Sequence, residues 1–536
     1  MFGVQPSILF EPWQGNIDWQ FPEADITTFP EAQPAAQFQA SYPTPSSTLD
    51  PFPPDISGDN DSVILLDPGL PADDILTSLV EIYFDKLYHV LPCFHKRGLM
   101  DKLRSGDLQT QNQFLLYSIC CASASFHPDP AIRARRSDWY EQAKLLYEFT
   151  GRNPYPALPT IQGVLFLVYH AYSCGDFSAC WLYIGKAWRQ AASLGMNRID
   201  STHAVVMPVG AKDHEHRGYY DRLEWDSRKA IEREECRRSL WLLYLLDRNQ
   251  SWPTGWPNAI DEKQFKIDIP VADVTFQAMT DTTEPNEVKN APFTRNMRTL
   301  LASINTAKSP LNMLHYLIIT YVLLSRVTEQ IHSLHDNPDS PEYAEQCEEL
   351  EGYVVKLRLS LPRPAVSVIE AAAEDRGWVI WLNATLNTIS ILLHYRSVPS
   401  SDSTTASTLF RKAVTAARNT AQVVTDSART SIDLLLNVHI ASCLYVACCV
   451  LVIHMRLDKD ESLKNDVELL GLVFERMNDV FTVLGMKFHL ALKRDLERDA
   501  EELLSLRERG YRGLLADCSK WGFVRDEIMK MGMTIT

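Results

Sequence analysis

Apolar residues recur at helical spacing along most of the chain beyond residue 70. After Asp73 and Asp74, which the pattern places as N-terminal caps, Leu76, Leu79, Val80, Tyr83, Leu87 and Val90 fall on one helix face. Glu81, Asp85 and Lys86 lie opposite, and Pro92 closes the segment. The same spacing predicts helices over 111–126, 131–149, 160–174 and 178–194, then over 230–249, 310–335, 342–360, 364–396, 405–424 and 430–456, and finally over 463–491 and 494–513. In 178–194, Trp181, Ile184, Gly185, Trp188, Ala191 and Ala192 share a face while Lys186, Arg189 and Gln190 look outward. Gly195 stands where a left-handed C-terminal cap belongs. Polar or proline-containing connections fall at 200–229, 270–308, 336–341 and 397–404. Strand-like alternation is nearly absent, and the expected fold class is all-α.

Two apolar runs carry specific expectations. Leu240–Leu246 reads as buried on every side, in a helix whose Glu234 and Arg238 are spaced four apart and can pair. Asp247 and Arg248 end that run and are expected to form structural ion pairs, with ligand sensing as the alternative. Leu434–Met455 is 22 residues long, enough to cross a bilayer. Its Asn437, His439, Ser442 and His454 are unfavourable in hydrocarbon, so a buried core helix is the better reading.

Charge divides the chain unevenly. Of the net −16, a charge of −10 lies in residues 1–70, which hold ten acids, eleven of the 30 prolines and no Lys or Arg. Phe10, Trp13, Trp19, Phe21, Phe29, Phe38 and Phe52 are interspersed with these acids. The composition reads as a disordered tail, and acidic-aromatic interspersion is one mark of a transcriptional activation segment. It excludes a basic nucleic-acid-binding arm and lacks the cationic start of a signal peptide. The expected organisation is this tail, a helical regulatory domain over 71–400, and a C-terminal helical extension over 401–536 packing on the same body.

Candidate chemistry is sparse. Eleven cysteines form no disulfide-like framework and no C-x2-C pair, which fits reduced thiols. His214 and His216, with Asp213 and Glu215, lie in a polar loop without a third ligand at a recognisable spacing. His170, His315 and His439 read as satisfied core histidines. Arg133, Arg135 and Arg136 read as a solvated helix face rather than a phosphate-binding patch. Phosphate loops and nucleophile elbows are missing. No catalytic, metal-binding or DNA-binding residue set emerges, and no cofactor is expected in this chain.

The order of several segments is more informative. Asp176-Phe-Ser-Ala-Cys-Trp181 through Gly185, Ala187, Leu194 and Gly195 to Arg198 resembles the signature helix of the fungal-specific transcription factor domain. That domain is the middle homology region of zinc binuclear-cluster regulators. Glu232-Arg-Glu234-Glu235-Cys-Arg237-Arg238-Ser-Leu-Trp241 through Asp247-Arg248 resembles the same family's acidic-then-basic helix. Gly255-Trp-Pro257-Asn-Ala-Ile260-Asp261 resembles its turn. Tyr83-Phe84 with Pro92-Cys-Phe-His95-Lys96, and Leu392-Leu393-His394-Tyr395-Arg396, are similar to its first helix exit and a later helix.

The resemblance implies a nuclear transcription regulator (cytoplasm being the alternative location) controlling a metabolic or biosynthetic gene set, with coactivators or a DNA-binding protein as partners. It leaves room for a small-molecule effector and says nothing of oligomeric state. Trp13, Trp19 and Phe21 would be the coactivator contacts. The family's six-cysteine zinc cluster has no counterpart, because no cysteine precedes Cys93 and no basic residue precedes Lys86. DNA contact is therefore expected through partners or through a module missing from this sequence, and no membrane association is expected. The alternatives are a negative regulator that sequesters a full-length relative or a coactivator, and an all-α enzyme with an unrecognised pocket.

Overall fold

The computed structural model describes residues 69–150, 157–201, 228–306, 311–396 and 403–533. Among these the chain is predominantly α-helical, with short 3-10 turns, a π-turn and irregular connections, and one isolated bridge between Ile269 and Ala291 is the nearest approach to a sheet. The expected all-α class holds.

Helix Ala230–Ser251 organises the fold. Every residue from Glu234 to Ser251 is buried, so the Leu240–Leu246 run is enclosed as its composition requires. It packs against helices Ala157–Ser173, Phe177–Ser193 and Met313–His332. Gln113–Ala124, buried from Phe114 onward, lies between Arg136–Thr150 and Ala157–Ser173. On the other side Arg376–His394 bridges Met313–His332 and Ser403–Thr430, and the latter packs on Ala441–Asp458. The later segments are tied into the same core by backbone groups. The Tyr511 amide donates to the Tyr395 carbonyl at 2.6 Å, its hydroxyl donates to Trp252 O at 3.2 Å, and Arg512 Nε donates to Ile331 O at 2.6 Å.

Several expected boundaries move, each for a local reason. Ala72 is the N-cap of the first helix, and Asp73 and Asp74 occupy its first turn, where they act on the helix dipole rather than as caps. A π-turn over Tyr83–Leu87 interrupts this helix while keeping Tyr83, Leu87 and Val90 buried. The run 364–396 divides into Arg363–Val366 and Arg376–His394, with proline confined to a first turn. The run 463–491 breaks at Phe481, whose ring packs edge-on against Phe126 and Tyr169. Residues 432–440 form two 3-10 turns before the helix Ala441–Asp458 begins. There the Asn437 side chain accepts the His439 amide at 2.9 Å and competes with the helical ladder. Residues 131–149 split at Arg135, and the expected connection 270–308 holds a helix at Met297–Thr306. Cys518–Lys530 is a further helix that the apolar pattern did not indicate.

The longest apolar window, Val438–Asp458, is 89% buried within the protein, in keeping with the core-helix reading. His170, His315 and His439 are buried too, and burial pulls their pKa values down to about 3, 4 and 3, so they are neutral. They are not fully satisfied, because each leaves a ring nitrogen without a hydrogen-bond partner among the described residues. The arginine cluster is also more structural than a solvated face. Arg133 donates to the carbonyls of His127 and Pro128 at 2.7 Å, and the Arg135 guanidinium lies 5.1 Å from the Trp139 ring centre.

Candidate functional site

Many of the family-like residues lie along helix Ala230–Ser251 or against its two ends. A helix buried from Glu234 to Ser251 must find partners for the polar side chains it carries there. At its N-terminal end Glu234 and Arg238, one turn apart, face the segment 268–290. Glu234 accepts from the Val271 amide and from Asn290 Nδ2, both at 2.9 Å, and Arg238 Nε lies 3.4 Å away. Arg238 also donates to Asp273 at 3.1 Å and to the carbonyl of Val271 at 2.8 Å, and its guanidinium lies over the Phe276 ring. Arg237 turns to Asp200 and makes a two-pronged contact, Nε to Oδ2 at 2.9 Å and NH2 to Oδ1 at 2.7 Å. Burial alone would raise the Asp200 carboxyl. The Arg237 bonds and charge outweigh it and hold the group below its ordinary range. Trp241, fully buried, donates to Asp268 O at 3.0 Å and packs edge-on to Phe265 and Phe293.

At the C-terminal end Asp247 and Arg248 fold the following turn back onto the helix. Asp247 accepts the amides of Ala259 and Ile260, each at 3.0 Å, and is ion-paired with Arg248. Arg248 donates onward to Ser325 Oγ at 3.2 Å and to the Ile260 carbonyl at 2.7 Å. Gly255 has φ +72°, a conformation that favours glycine, and a Cβ there would meet the His332 ring at 3.3 Å. Pro257 O accepts from Trp181 Nε1 at 3.0 Å, which ties helix Phe177–Ser193 to the turn. In that helix Gly185 lies under Ala259, Ala187 is buried, and Gly195 adopts the expected left-handed cap with φ +70°. Asp261 caps the short turn that follows by accepting the Lys263 amide at 2.8 Å. Asp247 and Arg248 thus form an ion pair at the end of the apolar run.

Glu235 and Leu194 have a different setting. They border a cavity of about 390 Å³ beside the N-terminal end of the helix, which Phe94, Lys102, Leu115 and Gln162 also line. Glu235 accepts the His95 amide at 2.9 Å, and burial pushes its carboxyl up to about 7. The spacing of Glu232 and Glu235, three apart, is the sequence signal that places both on the cavity side while Glu234 faces away. A glutamate whose proton is held by the fold stabilises it most at low pH, and that contribution is lost as pH rises from the ordinary value towards about 7. Glu235→Gln mimics the neutral acid. Relative to wild type it is therefore expected to gain up to about 1.4 kcal/mol per pH unit across that window. Urea denaturation of both proteins at pH 5 and pH 8 checks this, and a constant difference would contradict it.

The acidic-aromatic tail with Trp13, Trp19 and Phe21, and the loop with His214 and His216, lie outside the described residues. Nine of the eleven cysteines are buried, Cys518 is exposed, and all are free. Among the described residues no group of three or more His, Cys, Asp or Glu is placed to hold a metal. No cysteine precedes Cys93.

Comparison with known proteins agrees with the family resemblance read in the sequence. Residues 80–351, just over half of the chain, match the model of the fungal specific transcription factor domain. A Zn(2)-C6 fungal-type transcription factor of Fusarium oxysporum f. sp. lycopersici is 25% identical over 339 residues, 58% of this chain and 34% of that protein. The tropolone cluster transcription factor of Talaromyces stipitatus is 24% identical over 291 residues, 52% of this chain and 48% of its own length. The pigment biosynthesis transcriptional activator of Monascus ruber is 21% identical over 202 residues, 37% of this chain and 34% of its own. The chain spans less than half the length of each of these relatives.

Proposed function

The chain belongs to the family of the fungal specific transcription factor domain, and from that premise we propose that it regulates transcription without catalysing a reaction. The observation that carries the reading is the joint placement of the family-like segments. They build a buried framework around helix Ala230–Ser251, in which Glu234, Arg237, Arg238, Asp247 and Arg248 hold the fold rather than a reactive geometry. The relatives named for tropolone and pigment biosynthesis support control of a biosynthetic gene set. Action in the nucleus follows from the same reading.

The helical body would present surfaces to partners, and the acidic tail would recruit coactivators by folding on binding. Its aromatic side chains would supply the apolar anchors. Because this sequence holds no set of cysteines for the zinc module, DNA contact would come from a partner protein or from a module outside it. Fusing the full chain, or residues 1–70 alone, to a heterologous DNA-binding domain is expected to activate a reporter. Replacing Trp13, Trp19 and Phe21 with alanine is expected to remove most of that activation. Absence of activation by either fusion would sink the activating role. A rise of target transcripts on deleting the gene would establish the negative regulator instead.

A further inference from the structure

The cavity beside Glu235 has a chemistry of its own. About 390 Å³ is at the small end of ligand pockets and suits a compact molecule. Its inner surface is apolar where Phe94, Leu99, Leu115 and Leu158 meet, and Glu235 and Gln162 are its deeply buried polar groups. Lys102 and Asp107 are exposed, and Arg228 is already engaged by Glu232 at 3.6 Å. Two cationic side chains line the cavity against three carboxyls.

The polar atoms inside it want donors. Glu235 takes a backbone amide from His95 and a side-chain hydrogen bond from Gln162, and the cation that acts on it is Lys102, through space rather than in an ion pair. Asn112 Oδ1, also at the cavity, is buried and has no hydrogen-bond partner among the described residues. Gln162 divides its NH2 group between the Cys93 carbonyl, at 3.3 Å, and Glu235. A buried carboxyl without a close cation is costly, and a ligand that brings a cation removes that cost. An anionic ligand would meet Glu235 with no free donor beside it.

We propose that this cavity binds a small molecule with a protonated amine on a short apolar body, the ammonium group meeting Glu235 and the body lying among Phe94, Leu99, Leu115 and Leu158. Its role as an effector rests on the regulatory reading above, whereas the binding does not. The site lies within the matched domain and abuts the helix around which that domain is assembled, so occupancy bears directly on the domain's stability. Binding is also linked to protons, because the ammonium group requires Glu235 ionised. Among the groups facing Glu235, Tyr83 and Cys93 are pushed up by burial and stay neutral, and the charged side chains at the cavity are Lys102, Asp107, Glu232 and Arg228.

The test is calorimetry on the purified full chain with n-pentylamine, 1-pentanol and pentanoate as probes. Pentylamine is expected to bind saturably, with the alcohol and the carboxylate at least tenfold weaker. Its affinity is expected to rise about tenfold from pH 6 to pH 8 as the carboxyl ionises. In Glu235→Gln, whose fold is checked by a cooperative melt, the affinity is expected to fall at least tenfold and the pH dependence to vanish. No saturable binding, preference for pentanoate, or equal binding by Glu235→Gln would each overturn the proposal. Reporter activation measured on the same chain separates the two readings, because activation without amine binding sinks the site alone and binding without activation sinks only its regulatory role.

Discussion

Asp247→Ala is expected to destabilise the domain by about 3–5 kcal/mol, a large part of what holds a typical domain together. The side chain is fully buried, and it serves three donors at once: the amides of Ala259 and Ile260 and the guanidinium of Arg248. Alanine leaves both amides without an acceptor and leaves Arg248, itself buried, with Glu262 at 4.0 Å as its remaining carboxylate. The turn from Gly255 to Ile260 loses its attachment to the helix end, and with it the seat for Trp181 at Pro257. Asp247→Asn retains one acceptor but presents an NH2 group where a second acceptor is needed, so an intermediate loss is expected. Urea denaturation measures both, and an alanine variant within about 1 kcal/mol of wild type would show that the carboxylate is not the clamp.

The Asp247–Arg248 ion pair within this clamp was legible in the sequence because its parts are local. An Asp-Arg pair ending seven apolar residues has few ways to be satisfied, and the Gly-x-Pro turn follows within a dozen positions. The pairing of Glu234 with Arg238 and the left-handed Gly195 were legible for the same reason. Helix ends decided by distant packing were not. Phe481 breaks a continuous apolar pattern because its ring is claimed by Phe126 and Tyr169, hundreds of positions earlier. Asp200, Asp273 and Asn290, which complete the polar framework, carry no local signal, since each meets its partner only after the chain has folded back. The cavity at Glu235 is illegible for a similar reason. Periodicity places Glu232 and Glu235 together on a face, but it does not tell whether that face meets a protein wall or a void.

The largest effect outside the matched segment is expected at Asp495, again a position without local warning. Its carboxylate is buried and joins two cations, Arg498 Nε at 2.9 Å and Lys520 Nζ at 3.1 Å, while Tyr445 donates to it at 2.7 Å. Arg498 has a second partner in Asp517, but Lys520, only 1% exposed, has Asp495 as its carboxylate. Asp495→Leu therefore leaves a buried ammonium group unpaired, and a loss of about 3–5 kcal/mol is expected. Lys520→Met should cost much less, roughly 1 kcal/mol, because Asp495 keeps Arg498 and Tyr445. The asymmetry makes the prediction specific. Adding Lys520→Met to Asp495→Leu removes the orphaned charge, leaves Arg498 with Asp517, and is expected to recover at least half of the loss, so the double variant is more stable than the single one. Denaturation of the four proteins measures the coupling directly. Additive losses would mean that the ammonium group is solvated or neutral in the fold, and the helix Cys518–Lys530 would then owe its attachment to apolar contacts alone.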